Sequence, residues 1–284
     1  MSVFQKILAI VLMTCACAFA NADELKTIKL GAMGWEDQSS LVFVGKRVLE
    51  REGYKVEITN FSEWGIAYAA LARGDIDLMV SQINYVAFDY WKKNKNRLEK
   101  VSVASHGLRQ GIVVPSYMNI DSIDQLNGIK DQVGGKIVGI EPGSGLMREL
   151  KEAVKQYPLD YTVIDSSTAA MAAELEGAIQ RKAPIVTVLW KPSWQVYKYD
   201  VKFLDDPKHI FAPPQSYYWI AKKGFSLKNP HAREALASMF VSIDDVTHMN
   251  AEMNEGISAD EAAERWWKAN ADVTQRWSEL SKPD

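Results

Sequence analysis

The sequence predicts an α/β chain folded as two lobes, and three observations carry that expectation. Short β-like runs alternate with amphipathic helices, the alternation comes in two separate blocks, and about 260 residues follow the N-terminal segment of this 284-residue chain. Met1 to Ala22 reads as a secretory signal and is set aside. Lys6 gives the positive start, Ile7 to Phe19 is an apolar stretch too short to span a bilayer, and Ala20-Asn21-Ala22 offers the small-x-small cleavage site. The polar pair Asp23-Glu24 follows, so the expected product begins after Ala22 and is periplasmic.

In the first block, Thr27 to Gly31 reads as a strand and Ser40 to Glu52 as a helix with Leu41, Val44, Val48 and Leu49 on one face. Gly53 ends that helix. Tyr54 to Ile58 is the next strand, Trp64 to Ala72 a helix, Asp75 to Val80 a third strand, and Val86 to Lys93 begins another helix. The order βαβαβα predicts a parallel, mostly buried sheet. The second block places strands at Gly111 to Pro115 and Lys136 to Ile140, and helices at Leu146 to Gln156 and Ala169 to Arg181. Pro184 to Leu189 is a nearly continuous apolar run, as expected of a strand covered on both faces. After a last strand at Tyr217 to Ala221 only helices follow, one opened by Asn229-Pro230 and another over Ser258 to Asn270. The lobes are predicted to join through short crossings near residues 105–112 and 208–216. This makes residues 23–107 plus 213–284 one lobe and residues 108–212 the other.

Composition narrows the chemistry. Both cysteines, Cys15 and Cys17, lie in the signal, which leaves no disulfide and no thiolate metal site afterwards. Cys15 follows Leu12-Met13-Thr14, a poor match to a lipidation motif, so lipoprotein anchoring is not expected. The net charge of −3 falls to about −4 without Lys6, an unfavourable balance for nucleic acid. No nucleophile elbow, Walker loop or His-Glu-x-x-His is present, and His106, His209, His231 and His248 lie far apart. The expectation is a binding protein without catalytic residues, metal or cofactor.

Aromatic residues at strand ends are the strongest pointers to a site. Trp35 follows the first strand, Trp190 ends the run from Pro184, and Trp194 comes four residues later. Ligands of open α/β sheets bind beyond the carboxyl ends of the strands. There, indole faces attract quaternary ammonium groups by about 0.5–2 kcal/mol per desolvated ring. Gly143-Ser144-Gly145 is a strand-to-helix turn that reads equally as a plain turn or as an anion-binding helix start. Trp266, Trp267 and Trp277 are expected to pack rather than bind.

Ordered motifs over nearly the whole chain, from about Lys26 to Trp277, then resemble one family. They are Gly34-Trp35-Glu36-Asp37, Gly53-Tyr54-Lys55-Val56, Leu71-Ala72-Arg73-Gly74-Asp75-Ile76-Asp77 and Gly139-Ile140-Glu141-Pro142-Gly143-Ser144-Gly145. Asp165-Ser166-Ser167 with Met171, Leu189-Trp190-Lys191-Pro192-Ser193-Trp194, Leu204-Asp205-Asp206-Pro207 and Ala262-Ala263-Glu264-Arg265-Trp266 complete the series. The chain resembles the substrate-binding proteins of glycine betaine, proline betaine and choline ABC transporters, an OpuAC-like family. The resemblance implies a type II periplasmic-binding-protein fold with the ligand cleft between the lobes, a membrane permease as partner, and a monomer serving osmoprotection or nutrition.

It also implies that Trp35 and Trp190 are cage rings, that Glu36 and Asp37 stand where choline-binding members place an acidic residue against the cation, and that Gly143 and Ser144 belong to a loop whose backbone lines the cleft. Two departures stand out. Ile83 occupies the place of a further cage tryptophan, with Tyr85 at the following proline, and Ser193 stands where some members carry a carboxylate-binding histidine. Tyr85, Tyr90, Trp64 and Tyr218 are candidates to replace the missing ring. The expected ligand is therefore a quaternary ammonium or betaine-type solute. The alternative is the same scaffold retuned to proline, histidine, carnitine or trimethylamine N-oxide. A periplasmic enzyme and a signalling receptor domain are more distant readings.

Overall fold

The computed structural model describes residues 26–34 and 36–281, the side chains of Glu36 and Asp37 excepted. The predicted signal and Trp35 therefore lie outside the described residues. In the first lobe, β1 (Thr27–Met33) leads to α1 (Glu36–Arg51), β2 (Lys55–Phe61), α2 (Trp64–Arg73), β3 (Leu78–Ser81) and α3 (Phe88–Asn94). The long β4 (Leu98–Pro115) carries the chain across to the second lobe. There a 3₁₀ segment (Ile123–Val133) precedes β5 (Lys136–Val138), α4 (Gly145–Gln156), β6 (Thr162–Ile164), α5 (Thr168–Gln180), β7 (Thr187–Lys191), α6 (Trp194–Lys198) and β8 (Val201–Phe203). The chain returns through β9 (Gln215–Lys222) to α7 (Phe225–Lys228), α8 (Pro230–Ser238), α9 (Ile243–Asn254), α10 (Ala259–Ala269) and α11 (Ala271–Leu280).

The strands run in the order β2-β1-β3-β9-β4-β7-β5-β6, with β8 on the far end of β4. β1, β2 and β3 are parallel, as are β5, β6 and β7, which matches the predicted βα rhythm within each lobe. The sheet is nevertheless mixed, not wholly parallel. β9 runs antiparallel to β3 and β4, and β4 runs antiparallel to β7, because these two strands are the ones that pass between lobes. The larger first part of β4, Leu98 to Gln110, is a strand the periodicity did not predict. Its register with β9 shifts at Lys100/Ser102, Val103/Ser105 and His106/Leu108, and each shift breaks the in-out alternation by one residue.

Three apolar clusters divide along this topology. One face of the first lobe's sheet packs α1, α8, α9 and α10 around Leu30, Leu41, Val80 and Trp219. Its other face packs α2 around Tyr68, Leu71, Ile76 and Ile83. The second lobe has its own core of Ile112, Ile137, Leu150, Met171 and Val188. Helix ends follow ordinary capping chemistry. Ser144, Ser167 and Ser258 accept from the backbone N–H groups of Met147, Ala170 and Glu261, and Gly74 closes α2 in the left-handed region at φ 92°. Asn229 does not cap α8 with its side chain, which donates instead to Phe225 O at 3.2 Å. Trp266 and Trp277 stack with centroids 5.8 Å apart, and Trp267 meets Trp277 edge-on at 6.4 Å, a packing role as expected.

A second seam joins the lobes through α9. Asn250 Nδ2 donates to the buried Pro192 carbonyl at 2.8 Å, Lys191 Nζ pairs with Asp244 at 2.5 Å, and the rings of Tyr197 and His248 stack at 4.6 Å. No helix among the described residues is long and apolar enough to cross a membrane.

Two substitutions test these packings. A Cβ at Gly45 would overlap the six-membered ring of Trp219. Gly45→Ala should therefore lower stability by about 1–2 kcal/mol in urea titration, overriding the roughly 1 kcal/mol that alanine gains in a helix. Asn250→Ala leaves the Pro192 carbonyl buried without its donor, and should cost about 1–3 kcal/mol by the same measurement. An unchanged midpoint in either case would contradict the corresponding packing.

Candidate ligand-binding cleft

The carboxyl ends of the parallel strands converge on one cleft of about 1020 Å³. Gly34 lines it just past β1. Gln82, Tyr85, Val86 and Asp89 come from the segment after β3, and Ile140 and Glu141 from the segment after β5. Trp190 and Lys191 end β7, and Pro192, Ser193 and Trp194 carry the wall into α6. The crossing strands contribute Leu108, Arg109, Gln110 and Gln215, so the floor of the cleft is the passage between lobes.

Each wall has a local cause. Trp190 sits opposite Gln110 in the β4/β7 ladder, which fixes both on one face of the strand pair. Ser144 is held as the N-cap of α4, so that Ser144, Gly145 and Leu146 present the first turn of that helix to the cleft. Trp64 opens α2, and its ring meets Tyr68 edge-on at 6.1 Å. Tyr85 O–H donates to Glu149 Oε1 at 2.9 Å, and Gln110 Nε2 donates to Glu149 Oε2 at 2.7 Å and to Tyr85 Oη. Burial, then the Glu149 charge and hydrogen bond, push the Tyr85 phenol well above the usual tyrosine range, so it stays a donor.

Charges in the cleft are mixed. Lys191 is engaged by Asp244, and the Arg109 guanidinium lies over the Phe203 ring at 4.2 Å. Arg148 Nη1 donates to the Gly143 carbonyl at 3.3 Å. Glu141 accepts from the Thr168 N–H at 2.9 Å and hydroxyl at 2.8 Å, and the backbone hydrogen bond holds its carboxyl below the ordinary glutamate range. Ser193 is buried in the wall, and its hydroxyl has no hydrogen-bond partner among the described residues. Asn250, also in the wall, is occupied by Pro192 and by a 3.5 Å contact from Ser40 Oγ.

The structure thus brings together Tyr85, Ser144, Trp190, Ser193 and Trp194 from the sequence-derived candidates. Trp35 and the side chains of Glu36 and Asp37 lie outside the described residues, although Gly34, immediately before them, is at the cleft. Two candidates are corrected. Ile83 is fully buried against α2 and does not face the cleft, because the backbone turns there and presents Gln82 and Tyr85 instead. Gly143 is exposed outside the lining, and the following Ser144 and Gly145 take that role as the helix begins. Of the four possible replacement rings, Trp64 and Tyr85 line the cleft. Tyr90 instead packs on Tyr68 at 5.8 Å, and Tyr218 lies 5.0 Å beneath Lys100. Gln82, Gln110, Arg148 and Asn250 went unread as cleft residues, since each is a single polar residue whose position depends on distant chain segments.

Comparison with known proteins agrees with this architecture. The glycine betaine/carnitine transport binding protein GbuC of Listeria monocytogenes is 35% identical over 159 residues, 55% of this chain and 53% of that protein, so the alignment spans about half of the relative's length. The glycine betaine/proline betaine-binding periplasmic protein of Salmonella typhimurium is 26% identical over 252 residues, covering 75% of this chain and 76% of that one. Lactococcal OpuAC, solved in its closed-liganded conformation with glycine betaine, superposes with a TM-score of 0.69 at 28% identity over 89% of this chain and 99% of that chain. The glycine betaine, L-proline-binding protein ProX of Borrelia burgdorferi gives 0.67 at 29% identity over 90% and 100%. With the model of the substrate binding domain of the ABC-type glycine betaine transport system matching residues 26–269, the chain belongs to that family of two-lobe substrate-binding proteins.

Proposed function

We propose that the protein is the exported solute-binding component of an ABC importer, a non-enzymatic monomer that captures a quaternary ammonium or betaine-type solute between its lobes and delivers it to a membrane permease. The observation that carries this reading is the aromatic wall. Trp190, Trp194, Tyr85 and Trp64 surround one cleft beyond the strand ends, where ring faces attract a methylated cation that cannot donate hydrogen bonds. Trp35, Glu36 and Asp37 complete the cation side of the site in this reading, and Ser144 and Ser193 serve the polar end of the ligand. Lobe division at 107/108 and 212/213 is supported by the separate apolar cores on either side of β4 and β9. Names of the relatives above, which bind glycine betaine, proline betaine or carnitine, support the ligand class.

A second reading retunes the same cleft to another small zwitterion, such as proline, histidine, carnitine or trimethylamine N-oxide. It is favoured by Ile83 lying in the core and by Ser193 in place of a histidine, with a buried hydroxyl free to meet a different polar group.

Calorimetry with glycine betaine, choline, carnitine, trimethylamine N-oxide, proline and histidine separates the two. Tight binding of a quaternary ammonium, weakened at least about tenfold by Trp190→Ala, is the expected result. Binding restricted to free-amine amino acids would rule out the cage reading, and turnover of any compound would rule out both. Export with cleavage after Ala22 is expected to give a mature chain beginning at Asp23, read directly by intact mass.

A further inference from the structure

The hydrogen bonds around Glu149 join parts of the protein that belong to different lobes. Tyr85 comes from the segment after β3 in the first lobe, whereas Glu149 sits one turn into α4 in the second. Gln110 lies on β4 where that strand pairs with β7 of the second lobe. Both Glu149 oxygens are used, Oε1 by the tyrosine hydroxyl and Oε2 by the glutamine amide. The Gln110–Glu149 contact thus lies within the second lobe, while the Tyr85 contacts bridge the two lobes. The helix start leaves room for it. A Cβ on Gly145 would come within 3.1 Å of Tyr85 Oη.

Resting on the reading of the cleft as a cation site, we propose that Glu149 is a positioning residue for ligand affinity. Through the Tyr85 hydroxyl it sets the tyrosine ring as an aromatic wall of the cleft when the lobes close. Neither Glu149 nor Gln110 is needed to touch the ligand. The carboxylate acts in two ways. It fixes the ring's rotation by a charge-assisted hydrogen bond, which is about twice as strong as a neutral one. It also pulls the phenolic proton toward itself, and the added electron density on the ring strengthens the attraction of its face for a cation. The ring supplied in this way stands in for the aromatic residue that Ile83 does not provide, and it arrives only on closure. A ligand that fills the cleft and favours closure is rewarded with one more wall.

The test is a double-mutant cycle on the mature protein, read by calorimetry with glycine betaine and choline as probes. Glu149→Gln keeps the shape and removes the charge, and Tyr85→Phe keeps the ring and removes the hydroxyl. Each is expected to weaken binding about tenfold, and the double variant no further than the weaker single. Thermal melts of all four proteins show that they are folded, and Tyr85→Phe alone still decides the matter if Glu149→Gln disturbs α4. Multiplying single-variant losses in the double variant, or unchanged affinity in Tyr85→Phe, overturns the proposal. Trp190→Ala run in parallel separates the two levels. If it weakens binding while Glu149→Gln and Tyr85→Phe do not, only the positioning role falls. If the parent protein binds neither probe, the cation-site reading falls and takes this role with it.

Discussion

The antiparallel pairing of β4 with β9 is the constraint on which the rest of this structure depends. Both chain crossings between the lobes run through these two strands, which pair from Leu98↔Lys222 within the first lobe to Leu108↔Gln215 at the boundary. A sheet that runs unbroken through both lobes would resist bending, because every ladder bond would have to be strained together. Three register shifts relieve this by leaving residues unpaired at intervals and increasing the local twist. Gly107, at φ 112° and against Ile243, lies beside the last of them. The shifts and this glycine lie at the passage between the lobes, and the strands on each side are anchored in separate cores.

That hinge explains why the cleft lies where it does. β1 and β3 point their carboxyl ends toward the crossing from one side, and β5 and β7 from the other, so four strand ends and the starts of α2, α4 and α6 meet at a single opening. α9 borders it on one side. Its bonds to Pro192 and Lys191 and the Tyr197–His248 stack tie the start of α6 to the first lobe close to the wall formed by Trp190 and Trp194. One flank of the second lobe is thus joined to the first lobe through α9, and the flank bearing α4 meets it through the Tyr85–Glu149 hydrogen bond.

Much of this was legible in the sequence wherever one element's own pattern decided its fate. The βα units emerged because apolar residues recur at helical spacing around short buried runs, as from Leu41 to Leu49 or from Val186 to Leu189. Trp190 and Ser144 were legible as cleft residues because strand ends and helix starts are visible locally. The larger first part of β4 was not, since bulges erase its alternation. Of the two candidates Ile83 and Tyr85 only the tyrosine faces the cleft, because which of two nearby residues does so depends on a turn of the backbone that no periodicity records. Glu149 was invisible for another reason. On α4 it reads as one more charged residue among Arg148, Lys151 and Glu152, and only the approach of Tyr85 and Gln110 from over thirty residues away distinguishes it.

The two kinds of aromatic wall divide the labour of capture. Trp190 is held by the β4/β7 ladder and its neighbours in the second core, so under the proposed function the surface it offers a cation is set within one lobe. Tyr85 is held by a carboxylate on the opposite lobe, so its contribution depends on closure. A preformed ring supplies the first attraction at no cost in ordering, whereas a ring that assembles on closure discriminates between ligands that permit closure and those that do not. With Tyr85 and Glu149 already in contact at 2.9 Å, the cleft still measures about 1020 Å³, more than a small methylated amine fills, so the placement of individual rings matters more to its grip than overall shape. On the proposed reading, selectivity therefore resides less in the pocket's overall size than in which solutes are compatible with the Tyr85–Glu149 contact across the lobes.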